Sequence, residues 1–505
     1  QGLEFDYCCV HALGAVRELG FEAVMINSNP ETVSTDYDIA DRLYFEPLTL
    51  ETVLAVCEAE QPLGVLVQLG GQTPLRLATA LEARGVKLLG TSADAIDRAE
   101  VRGRFDAVLE KLAVDRPAIA VAHSPDGVLA AAERLGWPVL VRPSYVLGGR
   151  AMKIARDPGE LDAHLARMSP EPGSAILVDR FLDDAIEVDV DCVADGRRVV
   201  IGGVMEHLER AGVHSGDSAT ILPPFTFAGD TLERIEAVVR AIALELGVVG
   251  LMNAQLAVKG DKVYVLEANP RASRTVPFVS KATGVPLARI ATKVMLGKTL
   301  DELGVEERHL PRHVAAKECV FPFKKLPGTD TILGPEMRST GEVMGIDSSP
   351  ARAYGKALRA IGASLERPRP GGPKLVVLAV SPRDRGPVIE IARRLRATGF
   401  DLAAVGATSA SLAAARLPHR KLDASGVGVE EAVAVIRSGE AAMAVVTAEG
   451  DAEIALTSPL RRATLATGVT CFTSIALAKV GCAALEEDEG GASVRALQEW
   501  YGDDA

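Results

Sequence analysis

The chain has 505 residues with a formal net charge of −13, 48% hydrophobic and 24% charged residues. That length supports three or four compact units with buried cores, and the composition is that of a folded globular protein. The acidic balance excludes an extended nucleic-acid surface but leaves room for local basic pockets that take anions.

No run of about 18 apolar residues is long enough for a membrane span, and no charged-then-apolar leader is present. The seven cysteines are odd in number and lack paired zinc-ligand spacing, so they read as reduced thiols and the expected location is cytoplasmic.

Residues 1–90 alternate helix and strand: a helix over 7–19, the strand FEAVMINS, a helix over 50–58, the strand GVLVQLGG, a helix over 74–83 and the strand VKLLG. This alternation predicts a parallel sheet with helices on both faces. The segments NSNPETVSTDYD and QLGGQTP follow strand ends, where open α/β sheets place ligand loops. The first residue is Gln rather than Met, and helix begins almost at once.

Beyond residue 90, the predicted helix AEVRGRFDAVLEKL carries Arg102 and Arg104, which on composition alone belong to a solvated face. PVLVRPSYVLGGRAMKIA gives a strand ending at Arg142, then Gly148 and Gly149, then a second strand. Paired glycines let a hairpin backbone approach phosphates closely and move over them. AILVDRFLDDAIEVDVDCVADG reads as strand, short connector, strand, with Glu187, Asp189 and Asp191 alternating on one face. For Asp189 and Asp191 an exposed polar face is expected. The loop Gly212-Val213-His214-Ser215 follows, flanked by glycines.

Residues 251–281 form the stretch with the most chemistry. Two strands are predicted, 252–258 and 263–269, around a turn at Gly260-Asp261. Side chains repeat every two residues, so Asn253, Gln255 and Ala257 share one face, and Val263, Val265, Glu267 and Asn269 share another. An odd-length loop sets Gln255 opposite Glu267 with Asn269 one step beyond, whereas a two-residue loop moves the register and separates them. An amide, a carboxylate and an amide then present oxygens suited to a hard cation such as Mg2+ whose other ligands are phosphate oxygens. Arg271 and Arg274 follow at once, placed to neutralise phosphate or carboxylate.

Residues 282–365 read as helices and a closing lobe. RPRPGGP (367–373) is a predicted linker, and beyond it LVVLAVSPRDRG, PVIEIARRLRATGF, DLAAVGA and AMAVVTA predict another small α/β unit. EEDEGG (486–491) reads as a solvated acidic segment.

The string EANPRASRTVPFVSKATG resembles the metal and phosphate segment of the ATP-grasp fold. With EFDYCCVHA, NPETVSTDYD and GGQTPL, it is similar to the large chain of carbamoyl phosphate synthetase from residue 1 to about 365. EFDYCCVHA resembles that chain's C-terminal half, which handles carbamate, rather than the half that handles bicarbonate. The implied architecture is an α/β and α+β multidomain chain. A pre-ATP-grasp Rossmann-like domain covers 1–90, without the strand and glycine-rich turn that precede it in the family. An ATP-grasp domain covers 91–298 and a closing helical lobe 299–366. A weaker resemblance assigns 371–505 to a methylglyoxal synthase-like allosteric domain.

The resemblance implies ATP contacts from Arg102, Arg142, Gly148, Gly149, Arg180, Leu182, Glu187, Gly212, Val213, His214, Ser215, Gln255 and Glu267. Among these, Arg180 and Leu182 meet the adenine edge and Glu187 the ribose hydroxyls; the family often has His where Arg180 stands. It further implies Mg2+ or Mn2+ on Gln255, Glu267 and Asn269, K+ near the 212–215 loop, and Arg142, Arg271 and Arg274 acting on the transferring group and carbamate. Thr408 and Ser409 are the implied effector contacts. Val405 stands where a hydroxyl is expected and RLPHRKLDASGVG replaces a Lys-Val-x-x-Gly-Arg-Pro stretch, so a regulator and a purely structural cap both stay open.

The implied activity is ATP-dependent phosphorylation of carbamate to carbamoyl phosphate for pyrimidine and arginine biosynthesis. The implied partners are an N-terminal half and a small glutaminase subunit; nucleic acid and membrane are not among them, and a homo-oligomer stays open. The alternatives are another ATP-grasp carboxylate ligase and a non-catalytic nucleotide-binding regulatory half.

Overall fold

In the first helix, Leu3–Glu18, Phe5, Cys8, Cys9, Ala12, Leu13 and Val16 recur at helical spacing and are buried. The structure is a computed structural model that describes residues 2–143, 151–168, 175–227, 229–307, 311–326, 328–363, 365–422, 429–487 and 493–502. The expected parallel pairing appears in the first unit, but in reduced form. Val24–Ile26 pairs with Arg42–Tyr44, and GVLVQLGG meets VKLLG through the single parallel bridge Val65↔Leu88. Glycines interrupt a longer ladder there: the Leu89 side chain and the Lys87 carbonyl lie 2.7 Å from where a Cβ of Gly64 would stand, and Gly71 and Gly90 take positive φ.

The centre is a seven-stranded sheet whose neighbours run antiparallel, in the order Lys262–Asn269, Val249–Lys259, Ile186–Asp195, Val199–His207, Thr220–Leu222, Val314–Val320, Gly341–Asp347. One face, carrying Val188, Val190, Ala254 and Leu256, packs on the helix Gly229–Leu246 through Ile235, Val239 and Ile242. The other face is covered at one end by the helices Val276–Thr283 and Leu287–Met295. Along that face Glu187 and Gln255 remain half-buried, and Glu267 is exposed. A smaller antiparallel sheet, in the order Ile119–Ala122, Ile176–Arg180, Val139–Pro143, Lys153–Ala155, is backed by the helices Pro125–Leu135 and Pro158–Met168. The Gly148-Gly149 pair lies outside the described residues.

The C-terminal segment forms a five-stranded parallel sheet in the order Arg420–Leu422, Asp401–Val405, Leu375–Ala379, Ala441–Val446, Thr470–Phe472. Thr408 and Ser409, the expected effector contacts, are buried. The Thr408 hydroxyl accepts from Val380 N–H at 3.0 Å. His419 Nδ1 donates to the Leu417 carbonyl, so its Nε2 accepts from the Ser409 hydroxyl at 2.8 Å. Both hydroxyls are thus hydrogen-bonded within the C-terminal unit.

The stretch 367–373 is largely exposed, as a linker would be. It does not, however, separate two cores. Val376, Leu378, Leu395 and Phe400 share one apolar cluster with Ile221, Ala316, Tyr354 and Leu358 from the other side. The fully buried Arg461 also donates two hydrogen bonds to Asp330, at 2.6 and 2.7 Å. Removing 371–505 would uncover that cluster, at about 25 cal/mol per Å² of apolar surface, and strand Asp330. The truncated chain is therefore expected to aggregate instead of melting cooperatively. Size-exclusion chromatography and a thermal melt check this, and a soluble, cooperatively melting 1–370 fragment would show the cores to be independent.

Among the described residues no helix is long and apolar enough to cross a membrane, and all seven cysteines are free thiols.

Candidate active site

The hairpin reaches its expected constellation by an unexpected route. Its loop has two residues, Gly260 and Asp261, and the pairs run Lys259↔Lys262, Val258↔Val263, Ala257↔Tyr264 and Leu256↔Val265. That register alone would set Gln255 apart from Glu267. A β-bulge at Leu266 inserts one residue and restores Gln255↔Glu267 and Asn253↔Asn269. The expected single face of Val263, Val265, Glu267 and Asn269 is thereby corrected. Val265 is buried in the core with Leu256, whereas Glu267 and Asn269 turn to the opposite side with Gln255.

Each donor is held by a neighbour. Gln255 Nε2 donates to Ser215 Oγ at 2.7 Å, which commits the amide nitrogen and leaves the carbonyl oxygen as donor atom for a cation. Asn269 Nδ2 donates to Glu267 Oε1 at 2.8 Å, and Arg271 Nη2 donates to Asn269 Oδ1 at 3.3 Å. Arg271 also reaches Gln72 Oε1 at 3.1 Å, which ties the GGQTP loop of the first unit to the hairpin. Burial holds the Arg271 guanidinium below the usual arginine range, against the pull of Glu267 and Glu100.

Asp189 and Asp191 are 2% and 1% exposed, so the expected solvated face is in fact interior. Asp191 accepts from Asn253 Nδ2 at 2.9 Å, Ser273 Oγ at 2.7 Å and Thr275 Oγ1 at 2.6 Å. It thus pins the segment that carries Arg271 and Arg274. Burial pushes its carboxyl up to about 6, with the three donors pulling the other way. Arg274 Nη1 lies 3.9 Å from Glu4 Oε2 and its guanidinium 5.7 Å from the centre of the Phe5 ring. EFDYCCVHA therefore forms a wall beside the arginine.

At the other end, Arg102 and Arg142 meet on one carboxylate. Both pair with Asp179, Arg142 Nε at 3.1 Å from Oδ2. Arg104 is not with them; it pairs with Asp94 and Asp97 on an exposed surface. The Arg180 side chain is exposed, and its N–H donates to the Ala118 carbonyl at 2.8 Å. Leu182 stands half-buried in the connector to the central sheet.

Glu187 Oε1 accepts from Gly212 N–H at 2.8 Å. Burial raises its carboxyl above the usual range, with the neighbouring His207 opposing. His207, absent from the expected set, sits 3.2 Å from Asp189 Oδ2. His214 Nδ1 accepts from Gly216 N–H at 3.0 Å, and burial lowers its basicity, so the ring is neutral with Nε2 protonated. Val213 N–H donates to the Arg210 carbonyl at 3.3 Å. Below the loop the buried Lys317 ammonium donates to the Ser215 carbonyl at 3.4 Å.

Gly212 takes φ +87, and a Cβ there would stand 2.5 Å from Ile154 Cδ1 and 3.0 Å from Phe181 Cε2. Gly212→Ala is expected to cost about 1–3 kcal/mol of stability and to weaken nucleotide binding several-fold. A thermal melt and a nucleotide titration check both effects. Unchanged values in both would show that the loop does not need this backbone.

Sequence reasoning missed Asp179, Asp191, Glu4, Gln72, His207 and Lys317. Strand alternation marked Asp191, but alternation does not tell which face is buried in a sheet covered on both sides. The others become visible only when segments between 18 and 270 residues apart are brought together.

Residues 1–98 match the family described as carbamoyl phosphate synthase preATP-grasp domain, and residues 97–303 match carbamoyl-phosphate synthase L chain, ATP binding domain. The chain is 50% identical over 505 residues to the carbamoyl phosphate synthase large chain of Myxococcus xanthus, covering 99% of this chain and 46% of that one. The chain belongs to the carbamoyl phosphate synthase large-chain family. The Pseudomonas putida large chain is 50% identical over 487 residues, covering 96% of this chain and 45% of that one. The Archaeoglobus fulgidus large chain is 49% identical over 503 residues, covering 99% and 46%.

This chain thus spans about half the length of these large-chain relatives. Among solved structures, the biotin carboxylase domain of Hydrogenobacter thermophilus 2-oxoglutarate carboxylase, in complex with MgADP, ADP and bicarbonate, aligns with a TM-score of 0.57 and 16% identity. That alignment covers 70% of this chain and 87% of that one. The ADP complex of N5-carboxyaminoimidazole ribonucleotide synthetase aligns with a TM-score of 0.56 and 13% identity, covering 70% and 94%. These likenesses establish the ATP-grasp type of fold.

Proposed function

We propose that this chain transfers the γ-phosphoryl group of ATP to carbamate, giving ADP and carbamoyl phosphate, as the C-terminal half of a large chain. The observation that carries the reading is the bulged hairpin, which sets Gln255, Glu267 and Asn269 side by side and sends Arg271 and Arg274 onward from them. Among the described residues no group of three or more His, Cys, Asp or Glu side chains is placed to hold a metal alone. The donor set of one carboxylate and two amides therefore fits a cation that comes with nucleotide phosphate oxygens. Bound there, Mg2+ or Mn2+ would supply charge neutralisation and a template for the phosphates. K+ would be taken by oxygens around Glu187 and the 212–215 loop, where the Ser215 carbonyl is already engaged by Lys317.

The remaining work falls to the chain's own groups. Carbamate is already an anion, so positioning and charge matter more than a general base. Arg142, steadied with Arg102 by Asp179, takes the transferring group, and Gly148 and Gly149 are proposed as further ATP contacts. Leu182 and the Arg180 backbone take the adenine edge, and Glu187 the ribose. Arg274, on a segment pinned by Asp191, presents a planar fork to the carboxylate-like acceptor.

In this reading the N-terminal half and a small glutaminase subunit supply carbamate. The product serves pyrimidine and arginine biosynthesis in the cytoplasm, and the C-terminal sheet is a methylglyoxal synthase-like domain. An acceptor screen by ADP release tests the substrate. Ammonia with bicarbonate, which form carbamate, should stimulate release, and biotin or aminoimidazole ribonucleotide with bicarbonate should not. Stimulation by either of the latter would place the chain among the other ATP-grasp ligases.

A further inference from the structure

An open parallel sheet presents its loops at the carboxyl ends of its strands, where the strand order reverses. In the C-terminal sheet that point lies between Leu375–Ala379 and Ala441–Val446. The loops that follow these strands face the nucleotide half. Arg383 pairs with Asp183 at 3.0 Å, with Glu449 at 2.6 Å, and with Asp184. Asp183 and Asp184 directly follow Leu182 in the connector between the small sheet and the central sheet. On the small-sheet side of the same connector, Lys153 pairs with Asp451, whose N–H donates to Glu160 at 3.0 Å. The loop that carries Arg383 is itself fixed, because Ser381 Oγ and Thr447 Oγ1 donate to Asp384 at 2.9 and 2.6 Å.

We propose that Arg383, supplied by the C-terminal unit, is a positioning residue for nucleotide binding. It holds the Asp183-Asp184 connector so that Leu182 and the Arg180 backbone stand at the adenine edge. The inference rests on the nucleotide site proposed above. A guanidinium suits the task because its rigid fork reaches three carboxylates at once, which an ammonium does not. Arg383 touches neither metal donors nor acceptor, so its effect falls on nucleotide affinity and not on the transfer step.

The test is equilibrium ATP binding and steady-state turnover on the full chain. Arg383→Ala should weaken ATP binding about ten-fold and leave turnover at saturating ATP within about two-fold. Arg383→Lys should recover part of the loss. Asp184→Asn removes one of the two connector contacts of Arg383, leaving the Asp183 pair, at a residue whose side chain is 70% exposed, so the fold is not at stake. It should weaken binding as well, and in the Arg383→Ala background it should add nothing. ATP affinity within two-fold of the unmodified chain in both single variants, or independent addition in the double variant, overturns the proposal. Absence of ATP binding by the unmodified chain would instead overturn the nucleotide-site reading.

Discussion

Glu267→Gln is expected to give a folded chain that binds nucleotide but no longer turns over. Glu267 is the one charged donor in the set, between two amides that contribute only dipoles. The substitution keeps shape and keeps an acceptor for Asn269 Nδ2, while removing the charge that balances the cation during transfer. Loss of a preorganised electrostatic stabiliser of this kind costs about 4 kcal/mol or more, roughly a 10³-fold slower step. Because Glu267 is exposed, the stability change should stay within about 0.5 kcal/mol. The check is turnover across a Mg2+ titration together with a thermal melt. Near-normal rates at saturating Mg2+ would remove Glu267 from the metal site.

Arg274→Lys is the second large effect. Its guanidinium lies against the Phe5 ring and near Glu4, on a segment that Asp191 fixes through Ser273 and Thr275. That placement leaves a planar fork free to match a carboxylate in two parallel hydrogen bonds. Lysine keeps the charge and loses the match. A cost of about 2–4 kcal/mol in the transition state is expected, equivalent to a roughly 30- to 1000-fold slower carbamoyl phosphate step. ATP affinity should hardly change, since the Arg102–Arg142–Asp179 clamp and the connector lie elsewhere. Collapse of nucleotide binding with turnover preserved at saturation would make Arg274 a nucleotide residue.

These two residues show how far local sequence carries the argument. The hairpin strands, the donor types and the arginines after them are set by alternation and turn chemistry within 30 residues, and the structure brings them together. The register was not legible, because it depends on a bulge at Leu266 that compensates for a two-residue loop. A bulge leaves no composition signal in an otherwise alternating strand. Asp191 read as solvated because nothing in its own strand reveals a second covering layer, yet it is the post that holds Ser273 and Thr275 on either side of Arg274. The linker at 367–373 was legible as an exposed Pro-Gly stretch, but the apolar cluster shared across it depends on packing between distant strands and helices. Thr408 and Ser409 illustrate the same limit: their burial and their bonds to Val380 and His419 depend on tertiary contacts that the local pattern does not carry.

The measurement that bears most directly on the central claim is ATP formation by the purified chain from carbamoyl phosphate, ADP and Mg2+. The account predicts steady ATP synthesis that requires the metal, is lost in Glu267→Gln, and is strongly slowed in Arg274→Lys. A folded chain that binds ADP but makes no ATP from carbamoyl phosphate would contradict it, and would leave a nucleotide-binding half without this chemistry.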